Sequence, residues 1–125
     1  MMPSFSFLAA VALGGALGSL SRYLFGMLFA FYMGTAWPYG TFFVNSAGSF
    51  LIGLAAALLH GTHPLAASFL IAGFLGGFTT FSSFMNESLS FFLNDRFLEG
   101  AAYVLIMTAS GLLLAFLGWK TAGMF

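Results

Sequence analysis

With 61% hydrophobic and only 5% charged residues among 125, this chain cannot supply the surface of a soluble domain, where about a quarter of residues carry charge. Three basic and three acidic residues cancel, which removes any electrostatic case for nucleic-acid binding. The absence of cysteine excludes disulfides, thiol chemistry and thiolate-held metals. The composition therefore predicts an all-α integral membrane protein lying in a lipid bilayer.

A spanning helix needs roughly 20 apolar residues, and four segments qualify: residues 5–31, 39–59, 65–93 and 100–119. The first carries no basic residues ahead of its apolar run, and Arg22 follows that run. This order does not fit a cleaved signal peptide. Gly14, Gly18 and Arg22 recur every four residues and share one helix face. Gly14 and Gly18 let another helix approach closely. Arg22 costs about 2.5–3.5 kcal/mol at the centre of a lipid-embedded helix. Two readings are open to it: snorkelling or pairing with a helix-end carbonyl, or forming the cationic lip of an anion vestibule.

The second span carries Thr41, Asn45 and Ser49 at helical spacing, with Gly48 and Gly53 close to the same face. Asn45 must find partners for both its carbonyl and its NH₂. An interhelical hydrogen bond would satisfy it, at only about 0.6 kcal/mol on average. A polar stripe of this length exceeds what packing requires and points to a lined pathway.

The third span is interrupted near its centre by Gly76, Gly77 and the β-branched pair Thr79-Thr80. A broken helix at membrane depth is tolerated only where its freed backbone groups are buried or face water, and such breaks often build ion sites. Beyond the break, Phe81 and Phe84 share one side, while Thr79, Ser83 and Glu87 share another, joined by Ser82 and Asn86. Aromatic stripes are usually core, but ring edges carry positive charge that can face a small anion. Glu87 is open to three states: protonated, paired, or near the interface.

In the fourth span Tyr103 and Ser110 fall on roughly one face, with Thr108 beside them, where ordinary helix-packing hydroxyls are an equal reading. Each proline, Pro3, Pro38 and Pro64, stands just ahead of a span, where a fixed φ helps start a helix. Trp37, Tyr39 and Trp119 suit an interfacial aromatic belt. His60 and His63 lack a third ligand and are read as interfacial loop residues. Short loops leave no segment for a soluble domain, so residues 1–125 are expected to form one four-helix transmembrane domain. Nothing resembles a hydrolase, redox or phosphate-binding motif, and no enzyme is expected. Lys120 and Arg96 fall on opposite sides, so the positive-inside rule has almost nothing to act on. Charge alone thus favours a dual-topology antiparallel homodimer over an orientation set by other signals.

Three stretches carry a family resemblance: Gly14-Gly15-Ala16-Leu17-Gly18-Ser19-Leu20-Ser21-Arg22-Tyr23, Gly40-Thr41-Phe42-Phe43-Val44-Asn45 and Gly76-Gly77-Phe78-Thr79-Thr80-Phe81-Ser82-Ser83-Phe84. Together they resemble the Fluc/CrcB fluoride channels, over essentially the whole chain. The resemblance implies an antiparallel homodimer in the cell (inner) membrane, with two pores that export fluoride passively. It implies that Asn45 points a donor into the pore, that Phe81 and Phe84 present ring edges to fluoride, and that Tyr103 lines the path. Ser82, Ser83 and Glu87 would form a polar track, with Arg22 near an aqueous vestibule. The carbonyls of Gly76 and Thr79 from both protomers would hold one structural sodium ion on the dimer axis. Ser83 stands where the family usually has Thr, which keeps the hydroxyl. Thr41 and Ser110 complete the expected pore set. The alternative is a small proton-coupled exporter, either a fluoride antiporter using Glu87 or a multidrug type. The latter family typically needs a first-span carboxylate, which this chain lacks. A non-transporting scaffold would need neither the Asn45 stripe nor the break.

Overall fold

The computed structural model describes residues 2–124, and among these the regular structure is entirely helical. Helix α1 runs over Phe5–Met33 and α2 over Tyr39–Leu59. The third span, Pro64–Leu93, divides into α3 (residues 64–78) and α4 (Phe81–Leu93). Helix α5 covers Phe97–Ala122, longer at both ends than the apolar run of residues 100–119. Arg96 precedes its first residue, and Lys120 lies in its last turn, where a cation suits the helix dipole. Four helical segments are thus long and apolar enough to cross a membrane, and the third is broken. At 29 residues α1 is about 44 Å long. That exceeds a hydrocarbon core of about 30 Å, so it must tilt or protrude.

Pro64 occupies the first turn of α3, where its missing N–H costs nothing. Ser68–Leu75 is wound as a π-helix, and the Gly76 N–H reaches back to the Ile71 carbonyl. Gly76 and Gly77 do not break the span; they are helical, and the break lies at Thr79-Thr80. Gly77 serves packing instead. A Cβ there would overlap the Gly15 carbonyl and the Ser19 side chain. Along the same crossing a Cβ on Gly14 would strike the Phe69 carbonyl, and one on Gly18 the Phe74 carbonyl. The glycine face of α1 therefore meets α3 backbone to backbone. The pair α2 and α5 is built the same way, with Gly53 against the Ala115 carbonyl and Gly118 against that of Phe50.

A compact aromatic cluster of Phe84, Phe91, Tyr103 and Met107, flanked by Trp37 and Phe42, ties α4 and α5 to the start of α2. It lies at the end of the bundle where the first and third loops meet. There the Arg96 guanidinium donates to the Ala36 carbonyl (3.3 Å), pairs with Glu99 and covers the Phe91 ring. Asp95 turns this third loop at φ 59°, a left-handed conformation that Asp tolerates better than most residues. Elsewhere the outer surface is apolar, with Phe5, Phe31, Leu98 and Leu112 largely exposed. So much exposed apolar area suits lipid and not water.

Candidate functional site

The break is made by two consecutive extended residues, Thr79 (φ −85°, ψ 157°) and Thr80 (φ −147°, ψ 117°). Thr79 closes α3: its N–H and its hydroxyl both donate to the Leu75 carbonyl, at 3.0 and 2.9 Å. Thr80 opens α4 by accepting the Ser83 N–H on its hydroxyl at 3.1 Å, the usual way a threonine caps a helix. The same hydroxyl donates to Ser83 Oγ at 3.1 Å and lies 3.4 Å from Ser82 Oγ. Two adjacent threonines thus terminate one helix and start the next.

The backbone freed by the break is met by other helices. Asn45, from α2, accepts the Thr80 N–H on Oδ1 (2.7 Å) and donates Nδ2 to the Thr80 carbonyl (3.0 Å). The side-chain amide thereby pairs with Thr80 as a neighbouring strand would. The second Nδ2 hydrogen faces Met107 Sδ at 3.8 Å, a weak acceptor. Arg22, from α1, donates Nε to the Gly77 carbonyl at 3.0 Å. Of its two readings, the structure brings about pairing with a helix-end carbonyl. The Thr79 carbonyl has no hydrogen-bond partner among the described residues, and Gly76 beside it is exposed.

A second cluster sits one helical turn further along α4. Glu87 accepts the Thr41 hydroxyl on Oε1 at 2.6 Å and the Tyr103 hydroxyl on Oε2 at 2.7 Å. Three helices converge on this carboxyl group, which has two hydroxyl partners and no ion-pair partner among the described residues. Tyr103 is fully buried and Phe84 nearly so, with their rings edge to face at 5.2 Å between centroids. Phe84 and Phe81 continue the ladder edge to face at 6.1 Å. Phe81 is 73% exposed, so the outer end of the ladder faces away from the chain's own core.

Three grooves connect these groups. The first, between the first and third loops, is lined by Trp37, Thr41, Glu87 and Arg96. The second shares Thr41 and adds Arg22, Thr80 and Ser83. A third shares Thr80 and adds Asn45, Ser49, Phe81, Phe84 and Met107. Thr41 is thus common to the first two grooves and Thr80 to the last two, and a column of polar side chains follows α2 and α4 beside the break. Ser82 stands exposed beside it. Ser110 is not brought into it; its hydroxyl donates to the Met107 carbonyl of its own helix at 3.2 Å. His60 and His63 lie exposed at the opposite loop.

Sequence reasoning missed Met107, which looks like any apolar residue of a spanning helix. Its only signal is the i, i+4 spacing from Tyr103. The threonine pair reads as a break from sequence, but intrahelical spacing cannot show that Thr80 caps the helix that follows. Ser46 was overlooked as well, and its buried hydroxyl lacks a partner among the described residues.

Residues 9–119 match the sequence model of the CrcB-like protein, Camphor Resistance (CrcB) family. The chain is 43% identical over 111 residues to the fluoride-specific ion channel FluC of Rhizobium meliloti (strain 1021), covering 86% of this chain and 89% of that protein. It is 47% identical over 115 residues to a protein of the same name from Thermus thermophilus, covering 90% and 92%. With the corresponding Legionella pneumophila (strain Paris) protein the identity is 42% over 116 residues, covering 90% and 87%.

Proposed function

Because this multi-pass membrane chain belongs to the CrcB-like family, we propose that it is a fluoride channel. It would let fluoride leave the cytoplasm passively, across the cell (inner) membrane, without a coupled energy source. The observation that carries this reading is the polar column running beside a broken helix, from Glu87 and Thr41 to Asn45 and the Phe81–Phe84 ring pair. The names of the relatives agree with it.

Fluoride is small and strongly hydrated, so a pathway must replace its water with donors at close range. The Ser82 and Ser83 hydroxyls and the second Asn45 N–H supply such donors, and the edges of Phe81 and Phe84 add positive quadrupole charge; the Thr41 and Tyr103 hydroxyls donate to Glu87 and must turn from it to reach an ion. The Asn45 hydrogen facing Met107 is held only weakly, so an anion displaces the thioether at little cost. Glu87 keeps the Thr41 and Tyr103 hydroxyls aligned on the column. Ser110 remains in the proposed set, as a hydroxyl that must leave the Met107 carbonyl to reach an ion. Arg22 belongs to the wall of the middle groove, where its charge draws anions toward the break.

The functional unit is proposed to be an antiparallel homodimer with two pores. Gly76 and Thr79 of both protomers would hold one sodium ion through their carbonyls. The donor set fits: the Thr79 carbonyl lacks a partner among the described residues and Gly76 is exposed beside it. Backbone oxygens suit a hard cation. When bound, sodium would supply a fixed positive charge that offsets the cost of bringing an anion into low dielectric.

The test is ion efflux from proteoliposomes loaded with potassium fluoride or potassium chloride. Fluoride release that requires valinomycin and is not matched by chloride is the expected result. Asn45→Leu and Phe81→Ile should each reduce it at least tenfold. Fluoride release that instead follows an imposed proton gradient, without the ionophore, would return the proton-coupled exporter to first place.

A further inference from the structure

The break is gripped at two points by side chains from two other helices. Arg22 of α1 holds the Gly77 carbonyl on one side, and Asn45 of α2 holds both backbone groups of Thr80 on the other. Between the two grips lie Phe78 and Thr79, and the Thr79 carbonyl is the oxygen left without a partner. Neither grip is replaceable by the chain itself. The Thr80 N–H, at an extended N-cap, has no intrahelical acceptor, and Gly77 lies in the last turn of α3, where carbonyls lose their i+4 donors.

We infer that Arg22 and Asn45 are positioning residues for cation binding at the break: together they set the direction of the Thr79 carbonyl and hence the affinity of that site for sodium. This rests on the sodium reading given above. A loose extended dipeptide samples many ψ values, and each Thr79 rotation turns its carbonyl away from a common point. Fixing Thr80 through two hydrogen bonds, and Gly77 through a charged donor, removes that freedom before the ion arrives. A preorganised oxygen binds more tightly because less ordering cost remains at binding. The two side chains come from different helices and share no partner, so their effects on affinity should be nearly additive.

The geometry separates this role from anion conduction. Asn45 has spent Oδ1 and one Nδ2 hydrogen on Thr80, and only its other hydrogen faces the groove. Asn45→Asp keeps the acceptor for the Thr80 N–H but places an oxygen against the Thr80 carbonyl. Arg22→Gln keeps a donor but removes the charge and shortens the reach to Gly77. Thr121→Val serves as the control, because it removes only a hydroxyl bond within α5 and leaves both grips intact.

The experiment is a sodium titration of the melting temperature of the purified protein in detergent, against a background of N-methylglucamine. It is paired with hydrogen exchange at the Thr80 amide. The wild type should gain stability with sodium. Asn45→Asp and Arg22→Gln should each raise the sodium concentration for half-maximal effect about tenfold, the net value of one hydrogen bond. The Thr80 amide should exchange faster in both, and Thr121→Val should change neither quantity. Unchanged sodium dependence in folded Asn45→Asp and Arg22→Gln overturns the positioning role while leaving the sodium site standing. No sodium effect on the wild type removes the sodium reading and this inference with it. Where a variant does not fold, Asn45→Ser and Arg22→Lys carry the same comparison.

Discussion

Glu87 shows how much a single side chain can organise. Its two oxygens receive hydroxyls from α2 and α5, and leaving one partner of such a bond unpaired in the interior costs about 1–3 kcal/mol. Thr41→Val and Tyr103→Phe should each destabilise the protein by about that much, measured by unfolding in mixed micelles. The double variant should fall short of the sum, because both act through one carboxylate. The aromatic ladder gives a sharper contrast. Phe84 is 6% exposed and Phe81 is 73% exposed. Phe84→Ala should cost about 3–5 kcal/mol, as for other buried aromatic truncations. Phe81→Ala should lower fluoride flux at much smaller cost to the fold. A Phe81→Ala variant that unfolds as readily as Phe84→Ala would remove Phe81 from the proposed pathway and return it to the core.

Among elements, the α1–α3 crossing brings Arg22 to the break. The two helices approach through Gly14 and Gly18 on one side and Gly73 and Gly77 on the other. A Cβ on Gly18 meets backbone carbonyl atoms of Phe74, which cannot move aside as a flexible side chain would. Gly18→Ala should therefore separate the helices, carry Arg22 away from Gly77 and lower the melting temperature by several degrees. Gly26 lies on the same helix, and a Cβ there meets nothing within 4 Å. Gly26→Ala should leave stability unchanged or raise it by about 0.5–1 kcal/mol, since alanine is the better helix former. Thermal melting of the two variants side by side checks both. Equal loss from each would mean that backbone freedom matters here and close approach does not.

At the scale of the whole molecule, the three Lys and Arg residues give little electrical reason to prefer one orientation. The proposed dual topology makes a direct prediction, helped by the lack of native cysteine. A single Asn94→Cys in the third loop should react with a membrane-impermeant maleimide from both faces of the membrane. Adding two lysines to that loop should drive labelling to one face and, if dimers are antiparallel, abolish fluoride flux. Co-expression with a variant biased the opposite way should restore it. One-sided labelling of the unmodified loop would argue against the antiparallel dimer.

Membrane class, the four spans and the rupture of the third were legible in the sequence because they follow from properties of single residues and short windows. Apolar length, proline placement and a β-branched threonine pair act locally, and lipid leaves the chain few alternatives to helices. The polar stripe of α2 and the importance of Asn45 were legible for the same reason, since an amide in an apolar helix must be satisfied. Their partners were not. That Asn45 meets Thr80, that Arg22 meets Gly77 and that Thr41 and Tyr103 meet on Glu87 depends on side chains 35, 55, 46 and 16 residues apart. Such pairings are set by how helices cross, and the crossings are set by which glycines face one another. The glycine pair before the break shows the limit most clearly. Low helix propensity marks Gly76 and Gly77 as breakers, but the helix continues through both, and the space left at Gly77 is used by α1. Local chemistry determined that this chain spans a membrane with a broken helix; only the packing of α1 and α2 around that break decided which groups hold it, because contact between distant residues is a property of the folded bundle alone.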